Sequence, residues 1–127
     1  MWTNGDFVTT HIIVSTKFLK ENPDLVKSWL RAHVAVTQWE QQNPEDAKKA
    51  LNSEIEKLTG KKLADDVLNQ AWGRSKVTWD PISTSLIKSA ESAFNIGFLK
   101  ERPDLSGIYD LKLLNEVLKE KGLAEIK

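Results

Sequence analysis

The sequence predicts a mainly helical chain with one β-strand, and three observations support this class. The run from Phe7 to Ser15 is β-branched and apolar on both faces, as in a strand buried in a parallel sheet. After it, apolar residues recur at helical spacing between helix start and stop signals. A lone strand would leave buried backbone groups without partners, at a cost of about 1–3 kcal/mol each. We therefore expect a piece of a larger α/β fold, or a chain that borrows a strand from another copy.

The first helices follow the strand directly. Ser15 or Thr16 can cap a short helix through Lys20, and Asn22-Pro23 then places a cap and an N1 proline at the head of a long helix. One wide apolar stripe on the long helix predicts its buried face, including two tryptophans. The residues of that stripe are Leu25, Val26, Trp29, Leu30, His33, Val36 and Trp39.

The later helices have similar start and stop signals. Asn43-Pro44 predicts the start of a helix that ends at Gly60, and another helix is expected from Ala64 to about Arg74. The segment 76–79 has an extended pattern. Two further helices are predicted, one from Asp80-Pro81 to about Ile96 and one from Asp110 to Lys121 with Gly122 as its stop. The expected result is one strand and about six helices in a single domain over residues 1–127.

Composition narrows the function classes. The chain has 127 residues with 18 basic and 18 acidic side chains, a balance that does not favour nucleic acid or an anionic membrane surface. The absence of cysteine excludes disulfides, thiol catalysis and Cys-ligated zinc. No apolar run approaches the roughly 18 residues of a membrane span, and no signal peptide opens the sequence.

The residue inventory offers no catalytic set, metal motif or cofactor motif. His33 lies on the apolar stripe between Trp29 and Val36, so a packed histidine is the better interpretation. His11 lies within the predicted strand, where a polar side chain needs partners, and it is a candidate for lining a site. Asp65-Asp66 fits a first helical turn, where both carboxylates suit the helix dipole. We expect no enzyme.

Two long stretches carry a resemblance to a known family. The first is Trp2-Thr-Asn-Gly-Asp-Phe-Val-Thr-Thr-His-Ile-Ile-Val-Ser-Thr-Lys-Phe-Leu-Lys-Glu-Asn-Pro-Asp-Leu-Val. The second contains Trp79-Asp-Pro-Ile, Ser89-Ala-Glu-Ser-Ala-Phe, and the run from Gly97 to Leu118. Together they resemble the C-terminal part of substrate-binding proteins of ABC importers, of the type that serves aliphatic sulfonates, nitrate and taurine. The resemblance extends from Trp2 to about Gly122.

The resemblance implies a fold, a site and a location. It implies part of one lobe of a type II periplasmic-binding-protein-like fold, in which two lobes clamp a small ligand. The chain would lack the second lobe and the N-terminal portion of its own lobe. By location in that fold, Thr9, Thr10 and His11 would line the cleft and donate hydrogen bonds to a small organic anion. An ABC transporter permease is the implied partner. The parent would be a periplasmic or extracellular protein, either secreted or anchored as a lipoprotein, with its signal outside this sequence.

Another class stays open beside this one. The chain could be a free-standing helical interaction module that forms a homodimer through Phe7–Val14, because Ile12, Ile13 and Val14 would form an exposed apolar strand edge. A small enzyme is the weakest of the three hypotheses. Binding of alkanesulfonates by this chain alone is not expected, since one lobe and part of the other would be missing.

Overall fold

The computed structural model describes residues 5–127 and contains six α-helices within that range. The helices are α1 (Thr16–Glu21), α2 (Pro23–Gln42), α3 (Pro44–Thr59), α4 (Asp65–Gly73), α5 (Ser83–Asn95) and α6 (Lys112–Glu120). The predicted number of helices and their order are confirmed. The mainly helical character of the chain follows from start and stop signals that are local in sequence.

The first helices begin and end at the residues that the sequence indicates. The Ser15 hydroxyl accepts the N–H of Phe18 at 3.1 Å and caps α1. Pro23 and Pro44 are the first residues of α2 and α3, where the missing proline N–H costs nothing. Gly60 ends α3 with φ 77°, and its N–H donates to the carbonyl of Glu56.

The last two helices begin two or three residues later than their predicted caps. The Asp80 carboxylate accepts the N–H of Ile82 at 2.8 Å, and α5 starts only after Ile82. Ile82 has φ 47° and ψ 62°, a left-handed conformation that is an outlier for a β-branched residue. At α6, the Asp110 carboxylate accepts the N–H of Lys112 at 3.1 Å.

The predicted strand from Phe7 to Ser15 is wrong. Residues 6–15, which we call the N-terminal segment, form no strand, and no strand occurs elsewhere in residues 5–127. No strand among the described residues pairs with this β-branched run, and its Ile13 side chain is 90% exposed. The class of one strand in an α/β lobe is therefore contradicted. Within 5–127 there is no sheet in which a lobe of the type II two-lobe fold could be recognised.

The chain divides into two compact units. The first contains the described residues up to Leu30 together with Asp80–Lys127, and the second is Arg31–Trp79. Three apolar side chains on one face of α6, Leu114, Val117 and Leu118, are buried in the first unit. In the second unit the buried apolar residues come from three helices and are Val34, Ala47 and Leu68.

An ion cluster joins α2 to α6 within the first unit. The ammonium group of Lys27 lies 2.5 Å from Oε2 of Glu116 and 3.0 Å from Oε1 of Glu120. The hydrogen bond to Glu116, followed by that to Glu120, raises the pKa of Lys27 above its ordinary value. Two carboxylates that are four residues apart on α6 thus hold one end of α2 by charge.

Each unit contains one asparagine that closes a loop onto its own helix. In α3, Asn52 donates to the carbonyl of Leu63 at 3.0 Å and accepts the N–H of Leu63 at 2.8 Å. In α6, Asn115 makes the same two bonds to Ile126, at 2.9 and 2.8 Å. In both places the partner is eleven residues further along the chain, beyond the end of the helix. A glycine with positive φ, Gly60 or Gly122, lies between the helix and the partner. The amide side chain thus acts as one rung of a backbone ladder.

Helix α2 is apolar on two faces, and the predicted stripe combined parts of both. Val34 and Thr37 lie on the buried face, with Val26 and Leu30 partly buried beside them. Trp29 is 50% exposed and Trp39 is 43% exposed, so the expectation that both tryptophans are core residues is wrong. The predicted stripe left out Val34, the fully buried apolar residue of α2, because periodicity cannot tell which of two apolar faces is covered.

The asparagine bridge predicts a specific loss of stability. Asn52→Leu removes both bonds to Leu63 and leaves that N–H and C=O without their partners, so we expect the free energy of unfolding to fall by about 1–3 kcal/mol. Asn52→Asp keeps the acceptor and loses the donor, so its effect should be smaller. Urea denaturation measures both. Asn95→Leu, at an exposed asparagine at the end of α5, is the control and should change the midpoint little. Equal midpoints for N52L and N95L would contradict this role.

His33 predicts a dependence of stability on pH. Burial lowers the pKa of His33 below 6.5, and the charge of Glu40 opposes this only in part. The folded chain therefore binds the proton less tightly than the unfolded chain, and acidification below pH 6.5 favours unfolding. We expect the urea midpoint to fall between pH 6.5 and 5 and to fall less in His33→Gln. An imidazole titration by NMR with a midpoint at or above 6.5 would show that the argument is wrong.

Candidate functional site

The N-terminal segment is fastened to the first unit by side-chain hydrogen bonds. The N–H of Val8 donates to the hydroxyl of Ser85 at 3.1 Å, and Ser85 is buried near the start of α5. One turn later, the Ser89 hydroxyl donates to the Ser85 carbonyl at 2.9 Å. The buried Ser85 hydroxyl therefore accepts the backbone N–H that a neighbouring strand would otherwise bind. This bond fixes the position of the residues on either side of Val8.

His11 joins three parts of the first unit. Its Nε2 lies 3.0 Å from the Pro81 carbonyl oxygen and 2.9 Å from the Tyr109 hydroxyl. The rings of His11 and Tyr109 are tilted by 49° with centroids 5.7 Å apart. Burial raises the pKa of Tyr109 above its ordinary value, so the phenol stays neutral. The N-terminal segment, the turn before α5 and the loop before α6 thus meet at one imidazole.

These contacts favour a hydrogen on Nε2 of His11, which the Pro81 carbonyl oxygen and the Tyr109 hydroxyl oxygen would then share as acceptors. A carbonyl oxygen only accepts, so the assignment that satisfies Pro81 places a hydrogen on Nε2. Nδ1 has no hydrogen-bond partner among the described residues. In the neutral imidazole Nδ1 is an acceptor, and it can donate to an anion only when the ring is protonated. His11 therefore links parts of the chain through Nε2, and Nδ1 is the nitrogen that could contact a ligand.

Thr9 and Thr10 lie between these two anchors. Both are exposed, and they follow Val8 and precede His11 directly in the chain. Their hydroxyls can donate one hydrogen bond each to an oxygen atom of a ligand. The three residues that the sequence nominated are thus adjacent on a segment that is held at both ends, with the two threonines open to solvent and His11 partly buried.

Sequence reasoning missed the residues that hold this site. Ser85, Pro81 and Tyr109 are 70 to 98 residues away from their partners in the chain. Asp80-Pro81 was identified only as a helix start, and no local pattern marks Ser85 or Tyr109. Contacts of this range depend on tertiary packing, which period and propensity do not encode.

A concave feature separate from the N-terminal segment lies on the first unit, between α5 and the loop before α6. It is an open cavity of about 310 Å³ lined by Ile87, Ala90, Glu91, Arg102, Pro103, Leu105 and Ser106. The Arg102 guanidinium lies 5.3 Å from the centroid of the Phe94 ring and 3.9 Å from Glu91. None of the three nominated residues lines this cavity. Since both charged residues are mostly exposed, the cavity offers weak polar recognition.

The described residues show neither a metal site nor a membrane-spanning helix, and this absence rules out no function. Over residues 5–127, no group of three or more His, Asp or Glu side chains is arranged to hold a metal ion. No helix in that range is long and apolar enough to cross a membrane. No family model, curated protein or solved structure matches this chain. The resemblance to solute-binding proteins therefore stays a prediction.

The contact between His11 and Tyr109 predicts an energetic coupling. His11→Gln and Tyr109→Phe should each reduce the free energy of unfolding, and the double variant should lose less than the sum, because one hydrogen bond is counted in both single losses. We expect a coupling of about 0.5–1.5 kcal/mol, the net contribution of one such bond. Urea denaturation of the four proteins measures it. Strict additivity would mean that the two side chains do not support each other.

Proposed function

We propose that the chain is the C-terminal portion of an extracytoplasmic solute-binding protein that delivers a small organic anion, an aliphatic sulfonate, to an ABC importer. The observation that carries the proposal is the placement of Thr9, Thr10 and His11 on one segment anchored at both ends. The resemblance of the amino-acid sequence from Trp2 to Gly122 to solute-binding proteins of the sulfonate type supports the proposed class of ligand. In this role the protein is a carrier and not an enzyme, and it acts in the periplasm or outside the cell.

The chemistry of the segment suits an oxyanion in part. Two threonine hydroxyls and one imidazole nitrogen can supply up to three donors, the imidazole only when it is protonated. A hydrogen bond to a charged oxygen is stronger than a neutral one, but much of that strength is lost in contact with bulk water. Because Thr9 and Thr10 are exposed, a ligand here would stay half solvated unless further polypeptide covered it. We therefore propose that binding needs a longer parent protein, which also contacts the permease.

The proposal predicts a difference between the chain and its parent. Calorimetric titration of this chain with methanesulfonate, ethanesulfonate, taurine and nitrate should give no measurable binding. The protein encoded by the complete reading frame should bind one of them, and Thr10→Ala should weaken that binding about tenfold or more, since a hydrogen bond to a charged group contributes about 1.5–3 kcal/mol.

The control for that titration is Thr59→Ala, at an exposed threonine of α3 in the second unit. It should leave the affinity of the parent unchanged. Micromolar binding by the chain alone would contradict the need for further polypeptide. A complete protein that binds none of the four anions would contradict the sulfonate class.

The exposed run from Ile12 to Val14 favours a second candidate function. All three side chains are exposed, and Phe18, four residues after Val14 in the chain, is exposed as well. Apolar side chains that are adjacent in sequence and open to water favour self-association. In this second proposal the chain is an interaction module that forms a homodimer through Phe7–Val14. Ile13→Glu should then lower the molar mass measured by light scattering to that of one chain.

A further inference from the structure

The imidazole of His11 has one nitrogen that the chain uses and one that it leaves open. Nε2 lies 3.0 Å from the Pro81 carbonyl oxygen and 2.9 Å from the Tyr109 hydroxyl oxygen, whereas Nδ1 has no partner among residues 5–127. No side-chain nitrogen or oxygen atom in that range is both buried and without a hydrogen bond. Since His11 is partly buried and its Nδ1 has no partner, Nδ1 is accessible to solvent.

The neutral ring presents this open nitrogen as an acceptor. Because the Pro81 carbonyl oxygen only accepts, the single hydrogen of the neutral imidazole is favoured on Nε2, and Nδ1 keeps its lone pair. An oxyanion also brings lone pairs, together with negative charge, so the neutral ring repels it at this nitrogen. Protonation of Nδ1 reverses both effects, because the ring then carries a positive charge and a second N–H donor.

The charged groups around His11 do not neutralise a protonated ring. Tyr109 is the titratable side chain in contact with it, and burial keeps that phenol neutral. Asp80 and Asp110 lie on the two elements that contact the ring, and each carboxylate accepts the backbone N–H two residues further along the chain. The N-terminal segment itself contains one other charged residue, Asp6. No ion pair to His11 occurs within residues 5–127.

We propose that this site takes up one proton together with each anion, and that His11 is an imidazolium in the complex. The proton comes from the solvent and adds to the lone pair of Nδ1, the new N–H donates to an oxygen atom of the anion, and no other bond forms or breaks. Thr9 and Thr10 are the neighbouring donors on the same segment. This inference rests on the proposed function, because it concerns the anion of that site, and it adds that binding is linked to pH.

The linkage fixes the sign of the pH dependence. An anion that prefers the protonated ring raises the affinity of the ring for a proton by the same factor by which protonation raises the affinity for the anion. Binding is therefore tightest at acid pH and weakens as the pH rises through the range in which histidine loses its proton, by up to about tenfold per pH unit. Proton uptake on binding rises from near zero at acid pH towards one proton per anion at higher pH.

Calorimetric titration of the protein encoded by the complete reading frame tests this linkage. The probe is whichever of methanesulfonate, ethanesulfonate, taurine and nitrate binds most tightly, since none of the four changes its charge between pH 5.5 and 7.5. The affinity should fall about tenfold across this range. Titrations at pH 7.5 in two buffers of different ionisation enthalpy should show the uptake of close to one proton.

The two histidines of the chain provide a matched pair of variants. His11→Gln keeps a side-chain donor but has no group to protonate, so the pH dependence and the proton uptake should both disappear. His33→Gln, in the second unit, should retain both. An affinity of the wild-type protein that is independent of pH, or a pH dependence that survives H11Q, overturns the inference and leaves the proposed function standing. A complete protein that binds none of the four anions overturns both.

The position of the hydrogen can be measured on the present chain without any substitution. Nitrogen NMR of the His11 ring at a pH at which it is neutral should show the hydrogen on Nε2 and a lone pair on Nδ1. A neutral ring with its hydrogen on Nδ1 could donate to an anion without a further proton, and that result overturns the inference.

Discussion

Backbone polar groups outside the helices need partners, and in this chain side chains supply them. Residues 5–127 contain no strand pair, so no ladder is available to the segments between helices. Ser85 accepts from Val8, the Gln41 side chain donates to the Val77 carbonyl at 2.9 Å, and two asparagines each bind both backbone groups of a residue eleven positions on. Several non-helical segments of residues 5–127 are held at such a side chain, whereas short turns such as that from Leu105 to Ile108 use backbone hydrogen bonds.

This constraint also explains how the candidate site is positioned. The N-terminal segment contributes its threonines, but its location is decided by Ser85, Pro81 and Tyr109 on other parts of the first unit. Because Ser85 and Tyr109 act through their side chains, a substitution at either would remove a support of the segment that carries Thr9 and Thr10. The site therefore depends on the packing of the whole first unit. The residues that could bind a ligand lie far in sequence from the residues that hold them in place.

The predictable part of the structure is the part with local causes. Pro23, Pro44 and Gly60 mark helix ends through constraints that act within one turn, and the helices begin and end where these residues indicate. The absence of the strand predicted for residues 7–15 could not be foreseen from the sequence. β-Branched residues favour strand pairing, but they do not provide the partner strand. The covered face of α2 was equally undetermined, since Val34 and Val36 are both apolar and only packing decides which one is buried. Thr9, Thr10 and His11 could be nominated from the resemblance, whereas the anchoring role of His11 depends on contacts across 70 and 98 residues.

The left-handed isoleucine before α5 has a consequence for local opening. An isoleucine held at φ 47° stores about 1–3 kcal/mol of backbone strain, which is released when the turn leaves this conformation. Local opening of the turn at residues 80–82 is therefore easier than its hydrogen bonds alone would make it. The Pro81 carbonyl moves in the same event, so His11 loses one anchor and the N-terminal segment is loosened with it. Amide hydrogen exchange in this part of the first unit should then proceed by sub-global opening, ahead of the exchange of the buried turns of α6.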